Sequence, residues 1–221
     1  MSCTGVILAG GGSTRFGGAP KGLERVGGRR IVDRVAAALS LVSDELLLIA
    51  NVPEGASWLP SVRTASDVRP GAGALGGLHA ALTHAQMPIL LVAWDMPFVS
   101  AALLGELRRL GEGSEAPDAM IMSSELAFPV DPPVDPYDAV LPESDASRRG
   151  VEPLCAWYHP RCLPAIERTL DAGDLRVVGF HDQVRVQRVP VARVADFGDP
   201  LRLFSNINTR DELERAERTH A

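Results

Sequence analysis

Strand-like and helix-like stretches alternate over the first ~120 residues, and that alternation leaves few architectures open. Thr4–Ala9 (TGVILA) is short, apolar and partly β-branched, and it stops at glycine, the pattern of a buried strand. Residues 30–42 place Ile31, Val35, Leu39 and Val42 at helical spacing. Glu45–Ala50 (ELLLIA) reads as a second buried strand and residues 62–65 as a short third. Gly73–Ala85 carries Leu75, Leu78 and Leu82 on one helical face. Residues 88–94 (PILLVAW) read as a central strand. Ser100 is placed to cap a helix through Leu110, with Leu103, Leu104 and Leu107 inward. Residues 118–122 (DAMIM) suit a further strand. Such alternation predicts a three-layer α/β/α fold with a mostly parallel central sheet. Ligands of such sheets bind beyond the C-terminal strand ends, so the loops after Ala9, Ala50 and Trp94 should meet in one crevice.

The second half is less regular. Residues 128–142 hold five prolines and several aspartates and read as a loop. Residues 153–159 and 184–190 read as strands, and residues 160–172 as a helix. The last helix opens on Thr209-Arg-Asp-Glu212, a capping box followed by Leu213 and Ala216. No repeat or domain-length linker interrupts the chain. A single domain over residues 1–221 is expected, with residues 111–150 as a Pro-rich insertion.

Composition narrows the function. With 46% hydrophobic and 23% charged residues, the chain is neither collagen-like nor coiled-coil nor wholly disordered. A net charge of −6 argues against nucleic acid or an anionic membrane as partner. Cys3, Cys155 and Cys162 are odd in number and lack C-x-x-C spacing, so packing is their expected role. His79 and His84 lie five apart, and no H-x-x-x-H exists, which disfavours zinc chemistry. No G-x-S-x-G elbow exists either. Trp58, Trp94 and Trp157 form no visible stacking stripe, and Trp94 and Trp157 read as core. No targeting signal or membrane span is seen, so a cytoplasmic protein is expected.

The strongest local feature is Gly10-Gly-Gly-Ser-Thr-Arg-Phe-Gly-Gly-Ala-Pro-Lys21, directly after the first strand. Glycines there let backbone N–H groups approach a phosphate. Between Arg15 and Arg34 stand six basic residues and two acidic ones, a basic patch in an acidic protein. The loop is neither a Walker A motif, since Gly18 sits where its lysine belongs, nor a G-x-G-x-x-G fingerprint, since Arg15 takes the third glycine position.

Residues 8–21 read L-A-G-G-x-S-x-R-F-G-x-x-x-K, which resembles the signature of nucleotidyltransferases with a glycosyltransferase-A-like fold. The resemblance is closest to the molybdenum cofactor guanylyltransferase (MobA) family. It continues in Asp67-Val-Arg-Pro-Gly-Ala-Gly-Ala-Leu-Gly-Gly77, similar to D-x-x-P-G-x-G-P-L-x-G with Ala74 for proline. Trp94-Asp95-Met-Pro-Phe98 is similar to C-D-x-P-F, with Trp94 for a small residue. Glu152-Pro153-Leu154 resembles R-x-x-P-L, and Ser205-Asn-Ile-Asn-Thr209 the closing N-x-N-T-x-x-[DE]-L.

The resemblance implies GMP transfer from GTP to the terminal phosphate of molybdopterin, with release of pyrophosphate. It implies Arg15, Lys21 and Asp95 as catalytic residues, with Asp95 holding Mg²⁺. It implies nucleotide contacts from Leu8, Ala9, Gly10, Gly11, Gly12, Ser13, Lys21, Asn51, Asp67 and Asp95, and pterin contacts from Asn206 and Asn208. Asn206 and Asn208 would share a side on an extended segment. The L-A-G-G spelling favours GTP over CTP, because Gly10 leaves room for a purine. Cytidylyl transfer, a sugar-phosphate or phospholactate acceptor, and a non-catalytic nucleotide-binding module remain open. Delivery to molybdoenzymes or their chaperones is implied, by a monomer or weak homo-oligomer.

Overall fold

The structure, a computed structural model, describes residues 2–10, 20–113 and 137–220. Its strands are β1 (Thr4–Ala9), β2 (Arg25–Val26), β3 (Arg29–Arg30), β4 (Glu45–Ala50), β5 (Arg63–Ala65), β6 (Ile89–Ala93), β7 (Ala139–Pro142), β8 (Cys155–Tyr158) and β9 (Val186–Val189). Its helices are α1 (Ile31–Ser40), α2 (Gly55–Trp58), α3 (Gly73–Ala85), α4 (Ala101–Gly111), α5 (Leu163–Asp171), α6 (Val191–Val194), α7 (Pro200–Leu203) and α8 (Arg210–His220). A seven-stranded sheet runs in the order β5-β4-β1-β6-β8-β7-β9. All its pairings are parallel except those of β8 with β6 and β7. The predicted α/β class and mostly parallel sheet are therefore present.

Alternation along the central strands builds two cores. On one face Ile7, Leu90 and Val92 pack with Val32, Val35 and Leu39 of α1 and with Leu103, Leu104 and Leu107 of α4. On the other, Val6, Leu8, Ile89 and Leu91 pack with Leu75, Leu78 and Leu82 of α3 and with Ile166 and Leu170 of α5. Strands buried on both faces need continuous apolar runs, which is why TGVILA, ELLLIA and ILLVA carry hardly a polar side chain. Each fully buried leucine, isoleucine or valine contributes about 1.5–3 kcal/mol. The three thiols are buried and free, and burial pushes those of Cys3 and Cys162 up to about 12, as packing residues require.

Two helix starts form as their sequences predict. Ser100 Oγ accepts from the Leu103 N–H at 3.4 Å. Thr209 and Glu212 make the reciprocal capping box, Glu212 N–H to Thr209 Oγ1 at 3.2 Å and Thr209 N–H to Glu212 Oε2 at 2.9 Å. One expectation is overturned. Residues 139–142, read as the end of a proline-rich loop, are the fully buried strand β7. Pro142 is tolerated because β7 pairs with β8 only at Ala139 and Val140, so the missing N–H breaks no ladder bond to β8. The strand expected at residues 118–122 and the prolines up to 136 lie outside the described residues. Among the described residues no helix is long and apolar enough to cross a membrane.

Near β9, the His181 ring meets Phe180 edge-on at 4.8 Å, and its Nε2 is buried without a hydrogen-bond partner among the described residues. Burial, helped by Arg188, lowers its pKa from 6.5 to about 4. Between those values the unfolded chain takes up a proton that the folded protein refuses. The neutral ring thus contributes stability that is complete above pH 6.5 and lost as pH falls to about 4. Urea unfolding of wild type and His181→Gln should show the wild type losing more stability on acidification across this window. Parallel pH profiles would contradict the assignment.

Candidate active site

Strand register sets the geometry. Ala9 lies opposite Ala50, and Leu8 opposite Ala93. β1, β4 and β6 therefore end together, and the residues that follow them, Gly10, Asn51 and Trp94-Asp95, emerge side by side. β5 ends at Ala65 beside Ile49 and delivers Asp67 to the same edge. The antiparallel β8 begins here, and the Ala93 N–H donates to the Leu154 carbonyl at 2.8 Å. A cleft of about 470 Å³ opens at this edge, walled by Leu8, Ala9, Gly10, Lys21, Ile49, Asn51, Asp67, Trp94, Asp95 and Leu154 and by the start of α3. The crevice predicted from alternation alone is present.

A charged cluster sits in the wall of the cleft. The Lys21 amine donates to Asp95 Oδ2 at 2.5 Å and to Asn208 Oδ1 at 2.7 Å. Both charged groups are largely buried, Lys21 with 14% and Asp95 with 10% of the side chain exposed. One ammonium against one carboxylate compensates the charge that burial would otherwise penalise. The Ile207 N–H donates to the Asp95 carbonyl at 3.0 Å, which ties the closing segment to the end of β6. The capping box of α8 then holds Asn208, whose own N–H donates to Glu212 Oε2 at 2.7 Å.

Asn51 and Asp67 form a second polar group. Asn51 Nδ2 donates to Asp67 Oδ2 at 2.7 Å, and the Asp67 N–H donates back to Asn51 Oδ1 at 2.8 Å. Asp67 Oδ1 is buried with no partner among the described residues, an acceptor that a ligand N–H or a cation can use. Beyond Asp67 the chain turns through Gly71 (φ 84°) and Gly73 (φ 60°), left-handed values natural to glycine, into α3. No side chain of the described residues caps α3, and Gly73, Ala74 and Gly77 near its start face the cleft. A helix start of this kind presents N–H groups and the positive end of the helix dipole to a ligand.

Seven residues singled out in the sequence thus line one cleft: Leu8, Ala9, Gly10, Lys21, Asn51, Asp67 and Asp95. Gly11, Gly12, Ser13 and Arg15 lie outside the described residues. The two asparagines of the closing segment part company. Asn208 joins the cluster through Lys21, whereas Asn206 is exposed in another groove with Phe98, Arg202 and Glu212. Among the described residues no three histidine, cysteine, aspartate or glutamate side chains gather as a metal cage. The carboxylate of Asp95 in the wall of the cleft suits an ion such as Mg²⁺, which takes one or two carboxylates and fills its other positions with phosphate oxygens and water.

Two features escaped the sequence reading. Trp58 stacks on Trp94 with centroids 4.9 Å apart, although the two residues share no sequence periodicity. Lys21 is the only lysine in 221 residues, every other basic side chain of lysine or arginine type being arginine. A chain that uses arginine everywhere else keeps lysine where a compact ammonium meets two oxygens. That signal was open to a simple residue count.

Fold and site together define an α/β nucleotidyltransferase, with a nucleotide-sized cleft at the C-terminal edge of the sheet and a lysine–aspartate pair in its wall. The chain belongs to the MobA-like NTP transferase family, whose domain matches residues 5–186. It is 34% identical to the molybdenum cofactor guanylyltransferase of Desulfosudis oleivorans over 97% of this chain and 94% of that one. It is 28% identical to the enzyme of the same name from Vibrio cholerae, over 97% and 91%. The crystal structure of molybdopterin-guanine dinucleotide biosynthesis protein A from Archaeoglobus fulgidus superposes with a TM-score of 0.74 at 25% identity, covering 98% and 97% of the two chains.

Proposed function

We propose that the protein, acting as one nucleotidyltransferase domain, transfers GMP from GTP to the terminal phosphate of molybdopterin. A phosphate oxygen of the pterin attacks the α-phosphorus of GTP, the bond to the β-phosphate breaks, and pyrophosphate leaves. The observation that carries this reading is the Lys21–Asp95 pair in the wall of the nucleotide-sized cleft, with Asn208 accepting from the same Lys21 amine. Relatives named for guanylyl transfer, matched over nearly the whole chain, support the choice of GTP.

Catalysis of this kind asks for positioning and for neutralisation of charge on the phosphates. Lys21 offers its ammonium to the phosphates and is aimed by Asp95 and Asn208. Leu8, Ala9 and Gly10 form the wall beneath the nucleoside, and Asn51, Asp67 and the start of α3 offer polar contacts to it. Asp95 would hold Mg²⁺, which when bound offsets the charge of the triphosphate. Roles for Gly11, Gly12, Ser13 and Arg15 in cradling the triphosphate, and for Asn206 and Asn208 near the pterin, rest on the resemblance of their motifs. No general base is required, since a phosphate monoester is mostly ionised near pH 7, its second pKa being about 6. We place the enzyme in the cytoplasm as a monomer or weak homo-oligomer that hands its product to molybdoenzymes or their chaperones.

The test is pyrophosphate release by purified protein with Mg²⁺ and molybdopterin, comparing GTP with CTP, ATP and UTP. Release with GTP, dependent on the pterin, is expected. Release with CTP alone would overturn the base assignment, and no release with any triphosphate would overturn the acceptor. Gly10 permits a finer test, since a Cβ built there meets no atom of the described residues within 4 Å. Gly10→Ala should leave stability unchanged and lower kcat/KM for GTP by about tenfold or more, with CTP less affected, because a bound purine nucleotide would meet the added methyl. An unchanged GTP value would remove Gly10 from base selection.

A further inference from the structure

Trp94 precedes Asp95, and Gly22 follows Lys21. The two packed residues touch across the fold. A Cβ built at Gly22 falls 2.3 Å from Cε3 and 2.6 Å from Cδ2 of the Trp94 ring, closer than real Cβ atoms come. Gly22 has no positive φ, so glycine is needed here for space and not for backbone conformation. Trp94 cannot easily give way. It is 3% exposed and stacked on Trp58 at 4.9 Å and 23°. Its indole N–H is buried without an acceptor among the described residues, so packing sets the ring's orientation.

We infer that Trp94 is a positioning residue, which acts through Gly22 to hold the turn Lys21–Leu23 and so aims the Lys21 amine at Asp95 and Asn208. One indole thereby governs both partners of the charged pair: it carries Asp95 on the next peptide and presses on the turn that carries Lys21. A lysine has four rotatable side-chain bonds, and a shift of the turn of about 1 Å is enough to spoil its aim. The inference deepens the nucleotidyl-transfer reading and rests on it for its catalytic consequence, though not for its geometry.

Because Lys21 is the only lysine, amine labelling reports on one side chain, with the α-amine as internal reference. Gly22→Ala, labelled with acetic anhydride and read by mass spectrometry, should acetylate Lys21 about tenfold faster relative to the α-amine than wild type does, as an amine freed from two hydrogen bonds. Its kcat should fall about 10- to 100-fold, with KM for GTP within about threefold. In a Lys21→Met background the same substitution should cost no more than about twofold, since residues acting as a unit are not additive. Should Gly22→Ala fail to fold by circular dichroism, Trp94→Ala carries the labelling test. Unchanged Lys21 labelling, or a full additive loss in the Lys21→Met background, would overturn the inference. A wild type that releases no pyrophosphate would overturn the functional reading instead, and the labelling would still decide the positioning role.

Discussion

Asp95→Ala lowers pyrophosphate release by about 10³-fold or more and leaves the protein folded. Two losses combine. The substitution removes the carboxylate proposed to hold Mg²⁺, and it strips the Lys21 ammonium of its counter-charge in a largely buried position. Of its partners among the described residues Lys21 then keeps Asn208 alone, and the amine turns toward solvent or bound phosphate. The fold survives because the backbone carbonyl of Asp95, not its side chain, accepts from Ile207 and anchors the closing segment. Asp95→Asn separates size from charge, since it keeps the volume and one oxygen acceptor. If the charge is what matters, the asparagine variant is nearly as inactive as the alanine one. Thermal unfolding checks the fold, and steady-state pyrophosphate release checks the activity. Retention of more than about a tenth of the wild-type rate would remove Asp95 from the mechanism.

Lys21→Arg is the second large effect, and the conservative look of the substitution makes it informative. Arginine keeps the charge, but its planar fork is wider than an ammonium and presents five donors. The site offers Asp95 Oδ2 and Asn208 Oδ1 at 2.5 and 2.7 Å from a single nitrogen. A guanidinium cannot match both without displacing the turn that Gly22 presses against Trp94. A fall in kcat of about 10²-fold is expected for Lys21→Arg and about 10³-fold for Lys21→Met, with smaller changes in KM for GTP. Wild-type turnover in Lys21→Arg would mean that position 21 supplies charge alone.

Much of the scaffold was legible in the sequence. β1, β4 and α3 have the bounds that the apolar patterns predict, because each stands against glycine or polar residues that stop the pattern. The capping box of α8 is written in four consecutive residues. β7 was hidden for the converse reason. Four residues ending in proline carry no periodicity, and Ala139-Val-Leu-Pro142 becomes a strand only because β8 and β9 flank it with free ladder positions. The same holds for Trp58 and Trp94. Their stack belongs to no local pattern, since Trp58 stands on α2, which packs on β4 and β5, and Trp94 follows β6.

The sequence by itself determined which edge of the sheet would carry the cleft and which residue types would line it, because periodicity, glycine stops and caps act over a few residues. The tertiary structure alone decided the company each residue keeps. Lys21 meets Asp95 across 74 residues and Asn208 across 187, and Asn206, two residues from Asn208, stays outside the cleft. Those pairings follow from strand order and register, which are settled by burial on both faces of the sheet at once, and no local stretch of chain contains that information.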